Sequence, residues 1–251
     1  MSKRFLLLCV AFALLCGIQP ALAQDQGGFS AGVVVWTHSA DLAVDSATDF
    51  DGSDDTFATA ARDWDLHSSR FGVRVNYEFE GMFSLYGELG QASATVRDED
   101  VTDPNLDLES RGFNDDMYLA LGTRVGNERN GEGRFWSAGL RYSSLSTDVS
   151  PDVDTNFDYD ETILTLDGRM GTHVGSVGIY GGLRYAQYTA DMDETDLTQL
   201  AGQTLRTVEL NRDDDFDLLV GIRSNTEKVN GFVQLGFIGS FTANAGMTFR
   251  F

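Results

Sequence analysis

The stretch RFGVRVNYEF, residues 70–79, decides the fold. In an extended chain successive side chains point to opposite faces. Phe71, Val73, Val75, Tyr77 and Phe79 therefore share one face, while Arg70, Gly72, Arg74, Asn76 and Glu78 share the other. The apolar face runs for roughly 9 to 11 residues, the length a tilted strand needs to cross a bilayer. Turned into a soluble core, the guanidinium groups would have to be paired at a heavy desolvation cost. Turned away from lipid, they fill the polar interior that a membrane barrel encloses.

The pattern repeats along the chain. After a turn at Glu80-Gly81-Met82, FSLYGELG sets Phe83, Leu85 and Leu89 against Ser84, Tyr86, Glu88 and Gly90. MYLALGTRV, WSAGLRY, LTLDGRM, VGIYGGLRY and FDLLVGIR keep the period of two, and in each an arginine falls on the polar face shortly after a glycine: Arg124, Arg141, Arg169, Arg184 and Arg223. VNGFVQLGFI puts Val233, Leu235 and Phe237 outward. In the final FTANAGMTFRF, Phe241, Ala243, Ala245, Met247, Phe249 and Phe251 oppose Thr242, Asn244, Gly246, Thr248 and Arg250. FSAGVVVWTH is the ambiguous segment, because Val33, Val34, Val35 and Trp36 make both of its faces apolar.

Connections alternate in length. Short ones follow Phe79, Gly126, Gly171 and Arg223; long ones run from about Ser39 to Ser69, Arg97 to Asp116, Thr147 to Glu161 and Ala190 to Asp215. Pro104 and Pro151 both fall in long connections, as strand pairing requires. This is the short-turn, long-loop asymmetry of an outer-membrane barrel. The expected fold is all-β, an antiparallel transmembrane β-barrel of about ten strands with short periplasmic turns and long acidic extracellular loops. Ten follows if Ile238-Gly239-Ser240 is a tight outer turn. Eight follows if the first segment is only a plug or lead-in and the last two segments merge.

The ends and the composition agree with export. Lys3 and Arg4, an apolar run from Phe5 to Cys16, and Ala21-Leu22-Ala23 have the order of a secretory signal peptide. Residues 1–23 are expected to be removed, leaving 24–251 as one barrel domain. Cys9 and Cys16 both leave with the signal, so the mature chain holds neither disulfide nor thiolate metal site. The formal charge of -21, about -23 once Lys3 and Arg4 are lost, excludes nucleic acid as a partner. Past the signal, no run of 18 or so apolar residues exists to make a transmembrane helix.

Signal, hairpins and the alternating last strand ending in Phe251 together resemble small bacterial outer-membrane β-barrel proteins of the OmpA-type and opacity-type families. The resemblance implies residence in the outer membrane, with lipid and lipopolysaccharide as surroundings and a monomeric barrel. It also implies that Met247, Phe249 and Phe251 are read by the barrel-insertion machinery. No functional motif of those families is present.

Inside the barrel the reading expects an ion network. Glu78, Glu88, Asp167 and Asp217 share inward parity with Arg74, Arg124, Arg141, Arg169, Arg184 and Arg223. Its expected role is to strut and occlude the lumen, leaving a porin-like or structural surface protein with at most a narrow channel. The alternatives are a surface adhesin acting through its acidic loops, or an outer-membrane hydrolase. The hydrolase reading rests on His38 and His67, near the ends of the first two strands; His173 is expected in a solvent-facing turn. With no catalytic motif around them, the chain is read as non-enzymatic and without cofactor. Asp152, Asp154, Asn156, Asp158 and Asp160 have the spacing of a calcium loop, but Phe157 replaces its glycine and Ile163 its bidentate glutamate. Loose binding of divalent cations is the expectation there, not a dedicated site. Trp36, Trp136, Tyr77, Phe79, Phe83, Tyr142, Tyr185, Phe249 and Phe251 are read as interfacial aromatics.

Overall fold

A computed structural model describes residues 28–49, 63–79, 82–98, 111–127, 133–149, 155–196, 203–212, 215–226 and 228–251. The expected signal peptide lies outside them. The strands are β1 (Gly28–Asp49), β2 (Asp63–Glu78), β3 (Phe83–Asp98), β4 (Arg111–Gly126), β5 (Gly133–Val149), β6 (Thr155–Val174), β7 (Val177–Asp196), β8 (Gln203–Arg212), β9 (Phe216–Asn225), β10 (Val229–Ile238) and β11 (Ser240–Arg250). Every pairing is antiparallel, and β11 closes on β1 from Ser30 opposite Arg250 to Ala40 opposite Ser240. Among the described residues there is no helix.

The wall is a closed barrel of ten strands, with β1 to β7 followed by β9, β10 and β11. The ambiguous first segment is a full member of it. Val33 and Val35 face outward and Val34 and Trp36 inward. The tight turn at Ile238-Gly239-Ser240 also forms, with Ile238 at a φ of 109°.

Strand length explains the shape. β9 and β10 are 10 residues long and β11 is 11, close to the minimum for a membrane crossing. β1 has 22 residues and β6 and β7 have 20 each, so they project about ten residues further. Above the short β10–β11 hairpin the gap is bridged by β8, which pairs with β7 on one side and β1 on the other. The cross-section therefore narrows from ten strands to eight toward the end that bears the long connections.

Polarity inverts at the same height without any change of parity. On β7, Val177, Ile179, Leu183 and Tyr185 face outward in the wide part, and Gln187, Thr189 and Asp191 continue that face in the narrow part. On the inner face Tyr180 and Arg184 give way to Tyr188, Ala190 and Met192. The wide part is thus apolar outside and polar inside, and the narrow part is built like a soluble domain.

This corrects the expected loops. Much of each long connection is strand: β1 runs on to Asp49, β4 begins at Arg111, β6 at Thr155, and β8 lies wholly within the fourth. What remains of them, residues 50–62, 99–110, 150–154, 197–202 and 213–214, lies outside the described residues, as do Asp152 and Asp154 of the calcium-like spacing. Asp158 and Asp160 point outward from β6 rather than around a loop. Two aromatic assignments change as well. Trp36 is buried inside rather than at a membrane interface, and His173 lies buried on β6, its ring 4.6 Å from that of Phe135. Each follows from inward parity, which places a residue inside whatever its type.

Candidate functional site: the barrel interior

The narrow part is filled. Leu42, Leu66, Ala94, Leu145, Tyr159, Ile163, Tyr188, Ala190, Met192, Val208 and Leu210 form one buried apolar cluster. An eight-strand barrel has an interior just wide enough for its side chains to fill, so this packing follows from the count. At its lower edge lies a pair that the sequence reading did not single out. Arg70 is fully buried, its guanidinium 4.6 Å from the ring of Trp36 and 5.4 Å from that of Tyr118, and it forms an ion pair with the fully buried Glu161. Tyr159 and Tyr188 bring their hydroxyls together and lie 3.1 and 3.3 Å from Glu161 Oε2. Burial pushes the Tyr159 hydroxyl up to about 12 and raises that of Tyr188, so both keep their protons for donation.

Below this plug the lumen is polar and holds a cavity of about 150 Å³. Three carboxylates organise it, each shared by two arginines. Glu88 Oε1 accepts from Arg74 Nε at 2.8 Å, and Oε2 from Arg141 Nη2 at 3.1 Å. Asp167 takes both Nη1 and Nη2 of Arg124, at 3.1 and 2.9 Å, and pairs with Arg169 Nε at 2.8 Å. Asp217 accepts from Arg184 Nε at 2.8 Å and Arg212 Nη2 at 2.7 Å. Ser143 Oγ accepts from Arg141 and Arg70, both at 3.2 Å, and so joins the first group to the plug.

The Asp217 group sits where ten strands become eight. Besides its arginines it accepts from the Ser240 backbone N–H at 2.9 Å and from Ser240 Oγ at 3.0 Å, and Arg184 Nη2 reaches Thr242 Oγ1 at 2.9 Å. One carboxylate thereby ties the tip of the β10–β11 hairpin to β7, β8 and β9. Glu78, near the short turns, pairs with Arg250 at 3.2 Å, and Arg223 lines the cavity.

Exposure falls along the axis. The Arg250 side chain is 32 % exposed, those of Arg74, Arg124, Arg141 and Arg169 15–18 %, and those of Arg70 and Glu161 0 %. Solvent therefore enters from the short-turn end and stops at the plug. The glycines of the repeated motif make room for side chains of neighbouring strands. A Cβ on Gly122 or Gly221 would meet the ring of Tyr86 or Tyr180 at 2.3 or 2.4 Å, and Gly139 makes room for Arg124 and Asp167.

His38 and His67 do not meet. His38 is opposite Ser68 on β2 and points inward, while His67 is opposite Ser39 on β1 and points outward. Among the described residues no group of three or more His, Cys, Asp and Glu is arranged to hold a metal ion. The partners missed in the sequence, Glu161 and Arg212, both lie in stretches taken for connections. Inward parity would have found them once those stretches were read as strand.

No protein-family model matches the chain, and no curated protein sequence does. Solved structures do resemble it. The outer membrane protein OprG from Pseudomonas aeruginosa superposes with a TM-score of 0.51 at 9 % identity, covering 91 % of this chain and 97 % of that one. The outer membrane protease OmpT from Escherichia coli gives 0.48 at 10 % identity, covering 91 % and 99 %. The translocator domain of the autotransporter NalP from Neisseria meningitidis gives 0.42 at 13 %, covering 96 % and 95 %. At such identities the likeness is one of fold, and the superposition on OprG carries it. The chain has the closed antiparallel barrel fold of bacterial outer-membrane proteins.

Proposed function

We propose that this is an outer-membrane barrel protein, porin-like in its wall and closed as a pore, with its short turns in the periplasm and its projecting wall outside the cell. The observation that carries the reading is the change in lumen contents along the axis, from wet arginines to a dry apolar plug under eight strands. Arg74, Arg124, Arg141, Arg169, Arg184 and Arg223 with Glu78, Glu88, Asp167 and Asp217 then serve as internal struts that fix register. Residues 1–23 act as the export signal. Met247, Phe249 and Phe251, exposed on the outer face, meet lipid and present the signal to the insertion machinery. A closed barrel leaves no unpaired edge strand, which suits a monomer surrounded by lipid and lipopolysaccharide.

A surface-binding role has one observation in its favour, the projection of β1, β6 and β7 beyond the apolar band with carboxylates on their outer face. The hydrolase built on His38 and His67 has none.

Planar-bilayer recording of the refolded mature chain tests the reading, with insertion verified by heat-modifiable gel migration. Silence is expected for the wild type and for Arg141→Ala and Arg184→Ala, since all three keep the plug. Ohmic steps in the wild type whose size or ion selectivity changes in the variants would make the protein a narrow channel instead.

A further inference from the structure

The arginine groups do not balance. Glu88 is the countercharge of both Arg74 and Arg141, and Asp217 of both Arg184 and Arg212. Each group keeps one positive charge more than it neutralises, and both line the same cavity. Asp167, with Arg124 and Arg169, lines it too. A surplus positive charge in a narrow, largely buried lumen draws an anion strongly, because low-dielectric walls focus its field.

The geometry points to a bound small oxyanion, of the inorganic phosphate or small carboxylate class, held in this cavity by Arg74 and Arg141 and reached from the short-turn end. Guanidinium forks match such oxygens in shape and in number of donors. A volume of about 150 Å³ has room for roughly five waters at ~30 Å³ each, so one small oxyanion fits with part of its hydration. The accessible arginines are the ones with solvent contact, and the plug above them closes the other exit. Tyr86 and Phe232 flank Arg74, their ring centres 4.7 and 5.3 Å from its guanidinium carbon, and hold it in place without taking its charge. The inference is independent of whether the barrel conducts, so a silent or conducting bilayer leaves it to its own test.

That test is calorimetric titration of inorganic phosphate into the refolded full barrel, in phospholipid-free detergent and a phosphate-free buffer at fixed ionic strength. A phospholipid headgroup is thereby removed as a source of the signal. One saturable site is expected in the wild type. Thr165 faces Arg141 in register on β6 and lines the cavity, so Thr165→Asp supplies the missing countercharge internally. It should weaken phosphate at least tenfold while the barrel still folds. Arg141→Gln leaves Glu88 and Arg74 as a one-to-one pair and should do the same, which keeps the test decisive if either variant folds poorly. Absence of saturable heat in the wild type, or equal binding in all three proteins, would overturn the inference.

Discussion

Arg70 is fully buried against Trp36 and Tyr118 and depends on Glu161 for its countercharge. Removing one member of such a pair costs far more than removing both, because the survivor is left charged and dry. Glu161→Gln should therefore lose about 3–5 kcal/mol, whereas Arg70→Met combined with Glu161→Leu should recover most of it. Urea unfolding of the barrel in lipid vesicles, followed by tryptophan fluorescence, measures both. A double variant as unstable as the single would mean that the pair acts through the Tyr159 and Tyr188 hydroxyls rather than through its charge. Half of this pair was legible. Arg70 has plain inward parity in RFGVRVNYEF, but Glu161 closes a run of carboxylates whose members at 158 and 160 are exposed, and its own turn inward shows only against that alternation.

Strands are read most easily by their apolar face, and that habit sets how far each element was legible. Membrane crossings with one greasy and one polar face showed themselves, whereas β1, apolar on both faces, stayed ambiguous and the turn at Ile238-Gly239-Ser240 stayed a condition of the ten-strand count. The projecting halves of β1, β6, β7 and all of β8 read as connections because their outward residues are polar and because register shifts at Val44/Ser46 and Glu194/Thr195 interrupt the pairing with β8. The count of ten holds in the apolar band, and the premises of the count of eight fail, because β1 is a wall strand and β10 and β11 stay separate. Two leucines separate the two environments. Leu210 on β8 is fully buried in the narrow part, and Leu121 on β4 is exposed on the band. Leu210→Ala should cost about 2–5 kcal/mol, as in a soluble core. Leu121→Ala gives up only lipid contact, worth about 0.5 kcal/mol. Equal losses in the same urea experiment would contradict the change of environment along the wall.

Over the whole molecule, charge is sorted by side. Arginines exceed carboxylates around the cavity, while the formal total is -21, and the described carboxylates of the projecting wall lie mostly on its outer face. There they are stacked in register: Asp160 is opposite Asp191, Asp191 opposite Glu209, and Asp158 opposite Asp193. Like charges facing across strands cost roughly 0.2–1 kcal/mol each. The Asp191 carboxyl is raised from its usual value by partial burial and then by Glu209, Asp193 and Asp160. A carboxyl raised on folding holds its proton more tightly in the folded state. It adds stability below the ordinary carboxylate range and loses that contribution as pH climbs from there through its raised value. Two treatments that weaken one repulsion should therefore act alike. Moving from 0.1 to 1 M salt shortens the screening length from about 10 to about 3 Å and should raise the thermal midpoint at neutral pH. Asp191→Asn should raise it at low salt and make it less responsive to both salt and acid, because it removes the residue shared by two of the facing pairs. Midpoints of wild type and variant measured at pH 4.5 and 7.5, each at both salt concentrations, check the argument. A salt response unchanged by Asp191→Asn would place the repulsion elsewhere on the acidic face.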